Sequence, residues 1–298
     1  MWLPWESALW LAVALLAFTL VARRVSSVPL AAVTTTQEMT VVLSLYALWQ
    51  YVRGLAITKV AGAMEHARSL WRLEHSLHIG SELWIQRELI NHRRVMQFLN
   101  VYYGGMHVPV MGAVLIWLFV RHRPQYAAVR TSLALLIAGC ITIQAMVPMA
   151  PPRFLTDVGF VDAGLKYGLS VYGTGGSGVS NELAALPSLH AGWSILAGYA
   201  AIAYGVGKWR WLMLLHPVLT MLSIVATGNH WWLDAILSGV ILVVVMAAQE
   251  FIRNRLARDR LDGNPKPYSR PTPDRLFPDR PAPDQLVPDL RAMSDNGV

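Results

Sequence analysis

Long apolar runs, which recur along the chain as far as residue 251, constrain its fold more than any other feature. An α-helix needs roughly 17–25 apolar residues to cross a bilayer. The runs occupy residues 5–22, 38–58, 103–120, 131–147, 189–206, 211–227 and 231–251. Only 14% of the 298 residues are charged, against about 25% in an ordinary soluble domain. The sequence therefore predicts an all-α integral membrane protein with seven spans.

The basic residues indicate how these spans are oriented. Arg23 and Arg24 follow the first run and no basic region precedes it, which favours a retained anchor over a cleaved signal peptide. Most of the other arginines and lysines lie after alternate runs. This arrangement is typical of a membrane protein whose basic segments set its orientation, and not of a nucleic-acid-binding surface. The positive-inside rule places these segments in the cytoplasm. The 148–187 loop then lies on the extracytoplasmic face of a multi-pass cell-membrane protein.

The composition changes outside the spans. Residues 59–102 combine charged side chains with apolar residues at helical spacing, which predicts one or two amphipathic helices in the membrane interface. Residues 261–298 are rich in Pro-Asp units and predict a disordered cytoplasmic tail. The predicted organisation is an N-terminal anchor (1–30), a membrane domain (31–260) and this tail. A glycine-rich run at 173–178, inside the 148–187 loop, is interpreted as a flexible lid or spacer.

Two short motifs each place a histidine at the start of an apolar run. Pro-Ser-Leu-His occupies residues 187–190, and Asn-His-Trp-Trp-Leu-Asp occupies residues 229–234. Two antiparallel spans, each rising about 25 Å, lie between the motifs, so His190 and His230 can meet at one membrane surface. His230 and Asp234 are four residues apart, which places them on one face of a helix, where the carboxylate can hold the imidazole.

These residue types together favour chemistry on a phosphate. An imidazole whose Nδ1–H is held by a carboxylate leaves Nε2 as a nucleophile, and a second histidine can protonate a departing alkoxide. Arg153 and the backbone N–H groups near Ser188 can stabilise the phosphoryl oxygens. His107 begins a run on the same predicted face and is a further candidate contact. The alternative for His107 is a buried histidine whose hydrogen bonds are purely structural.

Two other interpretations of the motifs stay open. Histidines and tryptophans at the ends of spans are typical of the interfacial belt, and Trp231 and Trp232 fit that pattern. His190, His230 and Asp234 could also bind a metal ion. No fourth ligand is evident and a phosphate accounts for more of the residues, so no metal or other cofactor is expected.

The motifs resemble the second and third signature motifs of the phosphatidic acid phosphatase type 2 superfamily. That superfamily contains lipid phosphatases, lipid phosphotransferases and vanadium haloperoxidases. Leu189 stands where the phosphatases commonly have glycine, and the Pro-Ser-Leu-His form is similar to the inositolphosphotransferase branch, which includes fungal inositol phosphorylceramide synthase. Ala-Pro-Pro-Arg at 150–153 also resembles that branch. The resemblance covers roughly residues 38–251 and implies a six-helix transmembrane core, to which residues 5–22 add a span.

The resemblance also implies a role for each motif residue. His230 becomes the nucleophile, Asp234 the residue that orients it, and His190 the general acid. Ser188 becomes a phosphate contact, and Asn229 is expected to bind the phosphate as well.

Two positions depart from the superfamily pattern. The first signature motif, a lysine followed seven positions later by Arg-Pro, is absent, and only Pro152-Arg153 occupies that region. Ile224 stands where an arginine is expected, six residues before the nucleophile. The inositolphosphotransferase-like branch tolerates both losses, so the departures favour it over a haloperoxidase or a soluble phosphatase.

The predicted function is therefore that of a membrane lipid phosphotransferase. It would move a phosphoryl or phospho-headgroup unit from a lipid donor to an alcohol acceptor, inositol-like by resemblance, through a phosphohistidine. The alternative is a phosphatase acting on a lipid phosphate or a polyprenyl diphosphate, with water as the acceptor. A third hypothesis is a non-catalytic lipid-binding or transport protein with a degenerate site, which the two missing cations would explain. The expected partners are a lipid in the bilayer and a small alcohol or water, and not nucleic acid.

Overall fold

Helices form almost all of the regular structure. The structure is a computed structural model, and it describes residues 3–25, 27–56, 62–167 and 183–262. The helices are α1 (Trp5–Ala22), α2 (Leu30–Ala56), α3 (Ala63–Ser76), α4 (Glu82–Leu89), α5 (Arg93–Gly105), α6 (His107–Arg121), α7 (Arg123–Met146), α8 (Ala163–Tyr167), α9 (Leu189–Tyr204), α10 (Leu215–Ala226) and α11 (Trp232–Asp262). Short 3₁₀ helices span Pro152–Phe154, Thr156–Val158 and Lys208–Leu214. Within the described ranges β-pairing is limited to one bridge between Met149 and Ala184.

The chain forms two structural units. The first is Met1–Glu250, which contains both histidine motifs. The second is Phe251–Val298, of which the structure describes the helical residues 251–262. The predicted disordered tail and the glycine-rich run at 173–178 lie outside the described residues, apart from residues 261 and 262 at the end of α11.

The described helices support a multi-pass membrane protein, and the seven spans remain a prediction. Four are long and apolar enough to cross a bilayer: Trp5–Ala22, Arg123–Met146, Lys208–Ala226 and Trp232–Arg258. The pair α5 and α6, bent by 48°, would make a fifth. The predicted 189–206 span is instead a helix of 16 residues. Of the 38–58 run, residues 38–56 belong to α2, which begins at Leu30 and includes a polar turn before the run, and residues 57 and 58 lie outside the described residues. The six-helix core therefore remains a prediction.

The segment that was predicted to lie as amphipathic helices in the interface is helical, but its polar side is not all exposed. Its described part forms α3, α4 and most of α5. Glu74, Glu82 and Gln86 are buried against other parts of the chain. Gln86, for example, donates to the carbonyl oxygens of Val161 and Ala226. This segment therefore packs against the region that carries the second histidine motif.

Close packing of α9 against α7 and α11 fixes the position of the first motif. The apolar core here includes Leu136 of α7, Leu196 of α9 and Leu242 of α11. Gly192 lies at the closest approach, because a Cβ atom on it would come within 2.5 Å of the Ser238 hydroxyl and 2.8 Å of a Leu136 methyl carbon. Two residues earlier in α9 is His190, so this contact sets where that histidine stands relative to α11.

Replacing Gly192 with alanine is expected to destabilise the protein. The added methyl group overpacks the contact between α9 and its neighbours, which costs about 1–3 kcal/mol in well-packed cores. The matched control is Gly112→Ala in α6, because nothing lies within 4 Å of the Cβ position there and alanine favours a helix over glycine. Thermal unfolding of both variants in detergent would measure the difference. Equal midpoints would contradict the close approach of α9 to α11.

Candidate active site

The turn that carries the second motif is built by the end of α10. Gly228 has a φ of +69°, and its N–H donates to the Val225 carbonyl at 3.0 Å while the Asn229 N–H donates to the Ile224 carbonyl at 2.9 Å. These two bonds form a Schellman motif, in which glycine favours the left-handed conformation. The His230 N–H also donates to Ile224, at 3.1 Å. The turn thus delivers His230 to the start of α11 in a fixed position.

His230 presents one ring nitrogen to two acceptors. Its Nδ1 lies 2.9 Å from the Ala185 carbonyl oxygen and 3.3 Å from Oδ2 of Asp234. Neither neighbour can donate when the carboxyl is ionised, so Nδ1 carries the ring proton and Nε2 keeps its lone pair. The predicted pairing of His230 with Asp234 is present in the geometry. The closer partner is a backbone carbonyl, which the sequence did not indicate.

Asp234 orients the backbone as well as the imidazole. Its Oδ2 accepts the N–H of Trp231 at 2.9 Å, and its backbone carbonyl accepts the N–H of Ser188 at 3.1 Å. The second of these bonds joins the two motifs directly. Asp234 is fully buried. One residue therefore holds the nucleophile candidate, the start of α11 and the residue that precedes α9.

His190 and His107 complete a cluster of rings beside His230. The ring centroids of His190 and His230 are 5.6 Å apart, and those of His107 and His190 are 4.6 Å apart. The Tyr103 ring packs beside these histidines, with its centroid 4.4 Å from that of His190 and 6.1 Å from that of His230. Among the residues that the structure describes, neither ring nitrogen of buried His107 has a hydrogen-bond partner, and the same holds for Nδ1 of His190. Buried polar atoms normally form a hydrogen bond, so these nitrogens are candidates for binding a ligand.

Ser188 stands at the N-terminus of α9. Its hydroxyl oxygen accepts the N–H of Ala191 at 3.3 Å, and its side chain is buried. This is the N-cap arrangement expected of serine, so the described contact is structural. Its predicted phosphate contact stays a prediction.

Arg153, in the 3₁₀ helix Pro152–Phe154, lies against Asn229 in the turn that carries His230. The Arg153 guanidinium donates to the Asn229 side-chain oxygen, and its Nε pairs with Asp162 at 3.2 Å. Its backbone N–H donates to the Gly228 carbonyl at 2.9 Å. The Asn229 amide in turn donates to the Thr227 hydroxyl at 2.6 Å. The structure therefore brings a buried cation next to the second motif, and Asn229 acts there by orienting it.

Sequence reasoning missed a second pair of polar residues deeper in the helices. The Tyr102 hydroxyl lies 2.6 Å from Nδ1 of His216, and the His216 ring is 5.8 Å from that of His107. His216 falls within the Lys208–Ala226 candidate span. An ionisable residue inside a span is a functional candidate by default, and that signal was available in the sequence.

The departure at Ile224 also has a structural explanation. Ile224 is fully buried and packs in one apolar cluster with Tyr103, Ala191 and Val225. Where the superfamily pattern has an arginine, this chain uses the position for core packing. A positive charge near His230 is provided by Arg153, which itself pairs with Asp162.

The surroundings of His230 keep its imidazole neutral. Burial lowers the pKa of His230 from 6.5 to about 4, and the nearby charge of Arg153 acts in the same direction. The hydrogen bond to Ala185 opposes these effects and is outweighed. A neutral imidazole with a free Nε2 is the form that a nucleophile requires.

Activity is expected to persist well below pH 6.5. Because the pKa of His230 is lowered to about 4, the neutral ring is lost only as the pH falls towards that value. Between pH 6.5 and about 4 the folded chain binds fewer protons than the unfolded chain. The free energy of unfolding therefore decreases as the pH is lowered through this range. The test is the pH profile of kcat/KM, corrected for ionisation of the donor. Half-maximal activity near pH 6.5 would contradict this prediction.

The metal hypothesis gains no support from the described residues. Within them, no group of three or more histidine, cysteine, aspartate or glutamate side chains is placed to hold a metal ion.

Comparison with known proteins gives one match. A family model described as the PAP2 superfamily matches residues 68–249, more than half of the chain. The matched region begins within α3, ends within α11, and contains both histidine motifs. No curated protein and no solved structure matches the chain significantly.

Proposed function

Because the chain belongs to the PAP2 superfamily, we propose that it transfers a phosphoryl or phospho-headgroup unit from a membrane lipid to an alcohol through a phosphohistidine on His230. Membership itself indicates a phosphatase or a phosphotransferase. The observation that carries the proposal is the state of His230, whose Nδ1 faces two acceptors while its Nε2 is left as a lone pair beside a second histidine. Asp234 and the Ala185 carbonyl hold that ring in place.

The first step forms the bond between Nε2 of His230 and phosphorus, and breaks the bond from phosphorus to the donor lipid oxygen. His190 gives its proton to that oxygen, so the lipid leaves as a neutral alcohol. A phosphate anion bound between the rings favours the protonated form of His190 that this step needs. Arg153 balances the charge on the phosphoryl oxygens.

The second step reverses the roles. The acceptor hydroxyl attacks phosphorus, the bond between phosphorus and Nε2 breaks, and His190 takes the hydroxyl proton. The products are the phosphorylated acceptor and the free enzyme, so atoms and charge balance over the cycle. The unpartnered ring nitrogens of His107, next to His190, supply hydrogen bonds to an acceptor hydroxyl.

Burial favours an alcohol over water as the acceptor. His230 is 5% exposed and Arg153 is 3% exposed. A site closed around the phosphohistidine protects it from hydrolysis, which a transferase needs and a phosphatase does not. The phosphatase remains the second candidate, because the superfamily membership indicates either reaction. The basic loops favour a site on the extracytoplasmic face, with the C-terminal tail in the cytoplasm.

A radioactive donor separates these functions. Purified protein in detergent would receive a lipid phosphate labelled at phosphorus, with and without inositol. Label that enters inositol, with little inorganic phosphate formed when inositol is absent, would support the transferase. Equal release of inorganic phosphate in both cases would overturn it in favour of the phosphatase. No turnover of a panel of lipid phosphates, phospho-headgroup lipids and polyprenyl diphosphates would favour the non-catalytic hypothesis.

A further inference from the structure

Three carboxyl groups occupy the start of α11, and two of them come from other helices. The first N–H groups of a helix have no partner within it and need one from elsewhere. The N–H of Trp232 donates to Oε1 of Glu82 at 3.1 Å, and the N–H of Leu233 donates to Oε1 of Glu74 at 2.8 Å. Asp234 accepts the N–H before these two. Helices α3 and α4 therefore cap the helix that contains Asp234.

Glu74 and Glu82 are both buried, each 2% exposed, and their carboxyl groups lie close together because they bind the N–H groups of adjacent residues. Two carboxylates in contact away from water repel strongly, so such a pair holds one shared proton. The atom that can carry the proton is identifiable. Within the part of the chain that the structure describes, Oε2 of Glu74 is buried and meets no donor, so it is the atom that would carry a proton shared with the adjacent Glu82 carboxylate.

We propose that Glu74 and Glu82 are a proton-sharing carboxyl pair that positions the His230–Asp234 unit by holding the first backbone N–H groups of α11. They do not touch the reacting atoms in this scheme. They act through α11, because a shift of its first turn moves Asp234 and weakens its bond to His230. The role of Glu74 and Glu82 in positioning Asp234 is argued from geometry alone, whereas its test by kcat rests on the proposed function.

The shared proton makes this support sensitive to alkaline pH. Burial and the adjacent Glu82 raise the pKa of Glu74 from 4.5 to about 9. The charged groups that act on it are Glu82 from α4 and Asp234 from α11. Loss of the proton places a further negative charge among them, which the positive end of the α11 dipole offsets only in part. Because the folded pKa is raised, the stability that the proton provides is lost as the pH rises towards 9.

The test compares two variants at Glu74 with a control on the same helix. Glu74→Gln keeps an acceptor for Leu233 and a donor for Glu82 but cannot ionise. We expect its kcat at neutral pH to match that of the unchanged protein, and the fall in kcat near pH 9 to disappear. Glu74→Ala removes both bonds and should lower kcat by roughly 10–100-fold with little change in KM. Glu65→Gln, at an exposed position of α3, should behave as the unchanged protein.

Two results would overturn the positioning role. One is an alkaline fall in kcat that Glu74→Gln leaves in place, and the other is full kcat in a folded Glu74→Ala protein. If Glu74→Ala does not fold, the pH profile of Glu74→Gln decides alone.

A separate measurement tests the shared proton even if the protein does not catalyse the proposed reaction. Infrared absorption of protonated carboxylic acids at neutral pH should be weaker in Glu74→Gln than in the unchanged protein, whether or not the protein turns over lipid. An identical band in both proteins would refute the shared proton. If the unchanged protein turns over no lipid but the band is weaker in Glu74→Gln, the result would support the proton-sharing pair and overturn only the proposed function.

Discussion

Replacing His230 with asparagine is expected to lower kcat by about 10,000-fold or more, as loss of a nucleophile does in enzymes with covalent intermediates. The choice of asparagine follows from the geometry. Its side-chain NH₂ takes the place of Nδ1–H and can donate to the Ala185 carbonyl and to Asp234. What it lacks is a nucleophile at the position of Nε2. The variant therefore separates loss of chemistry from loss of the fold.

The matched control is His122→Asn, which changes a histidine outside the cluster, between α6 and α7. It should leave kcat unchanged. Thermal midpoints of the two variants in detergent would show that both fold. Turnover of a labelled lipid phosphate by His230→Asn at more than a few per cent of the normal rate would rule out His230 as the nucleophile.

Replacing His190 with glutamine should lower kcat by roughly 100- to 10,000-fold, the usual contribution of a general acid. Glutamine can still hydrogen bond to a phosphate but cannot supply a proton to the departing oxygen. The loss should depend on the leaving group, because a nitrophenyl phosphate ester needs no protonation to leave. With such an ester, His190→Gln should release nitrophenol in a rapid burst of one equivalent per site. Slow turnover should follow, because no base assists the acceptor.

Stopped-flow absorbance of nitrophenol measures that burst. Loss of activity by the same factor for lipid and nitrophenyl donors would contradict acid catalysis by His190, and would assign it a binding or structural role.

The sequence predicted the parts of this site that depend on side-chain identity and spacing. His190 and His230 meet because two apolar segments return the chain to the same side, and His230 reaches Asp234 because they are four residues apart. Arg153 was placed beside them from its position after an apolar run. These relations follow from helix geometry alone.

The parts that it did not predict depend on tertiary packing. The Ala185 carbonyl holds His230, and a backbone atom has no signature in the sequence. The sequence predicts interfacial amphipathic helices over residues 59–102, which include Glu74 and Glu82, and it does not distinguish a carboxylate that faces water from one that caps another helix, because both have the same spacing. Packing also affects which apolar runs form helices long enough to be candidate spans. Apolar composition marked 189–206 as a span, although α9 there is a short helix packed on its neighbours.

Direct capture of the phosphohistidine tests the central claim most sharply. His190→Gln would be mixed with a nitrophenyl phosphate labelled at phosphorus, stopped in alkaline detergent during the slow phase, digested and sequenced. We predict one label per site on Nε2 of His230, labile to acid and absent from a protein that also carries His230→Asn. A nitrophenol burst with no label on the protein, or with the label on another side chain, would contradict transfer through His230.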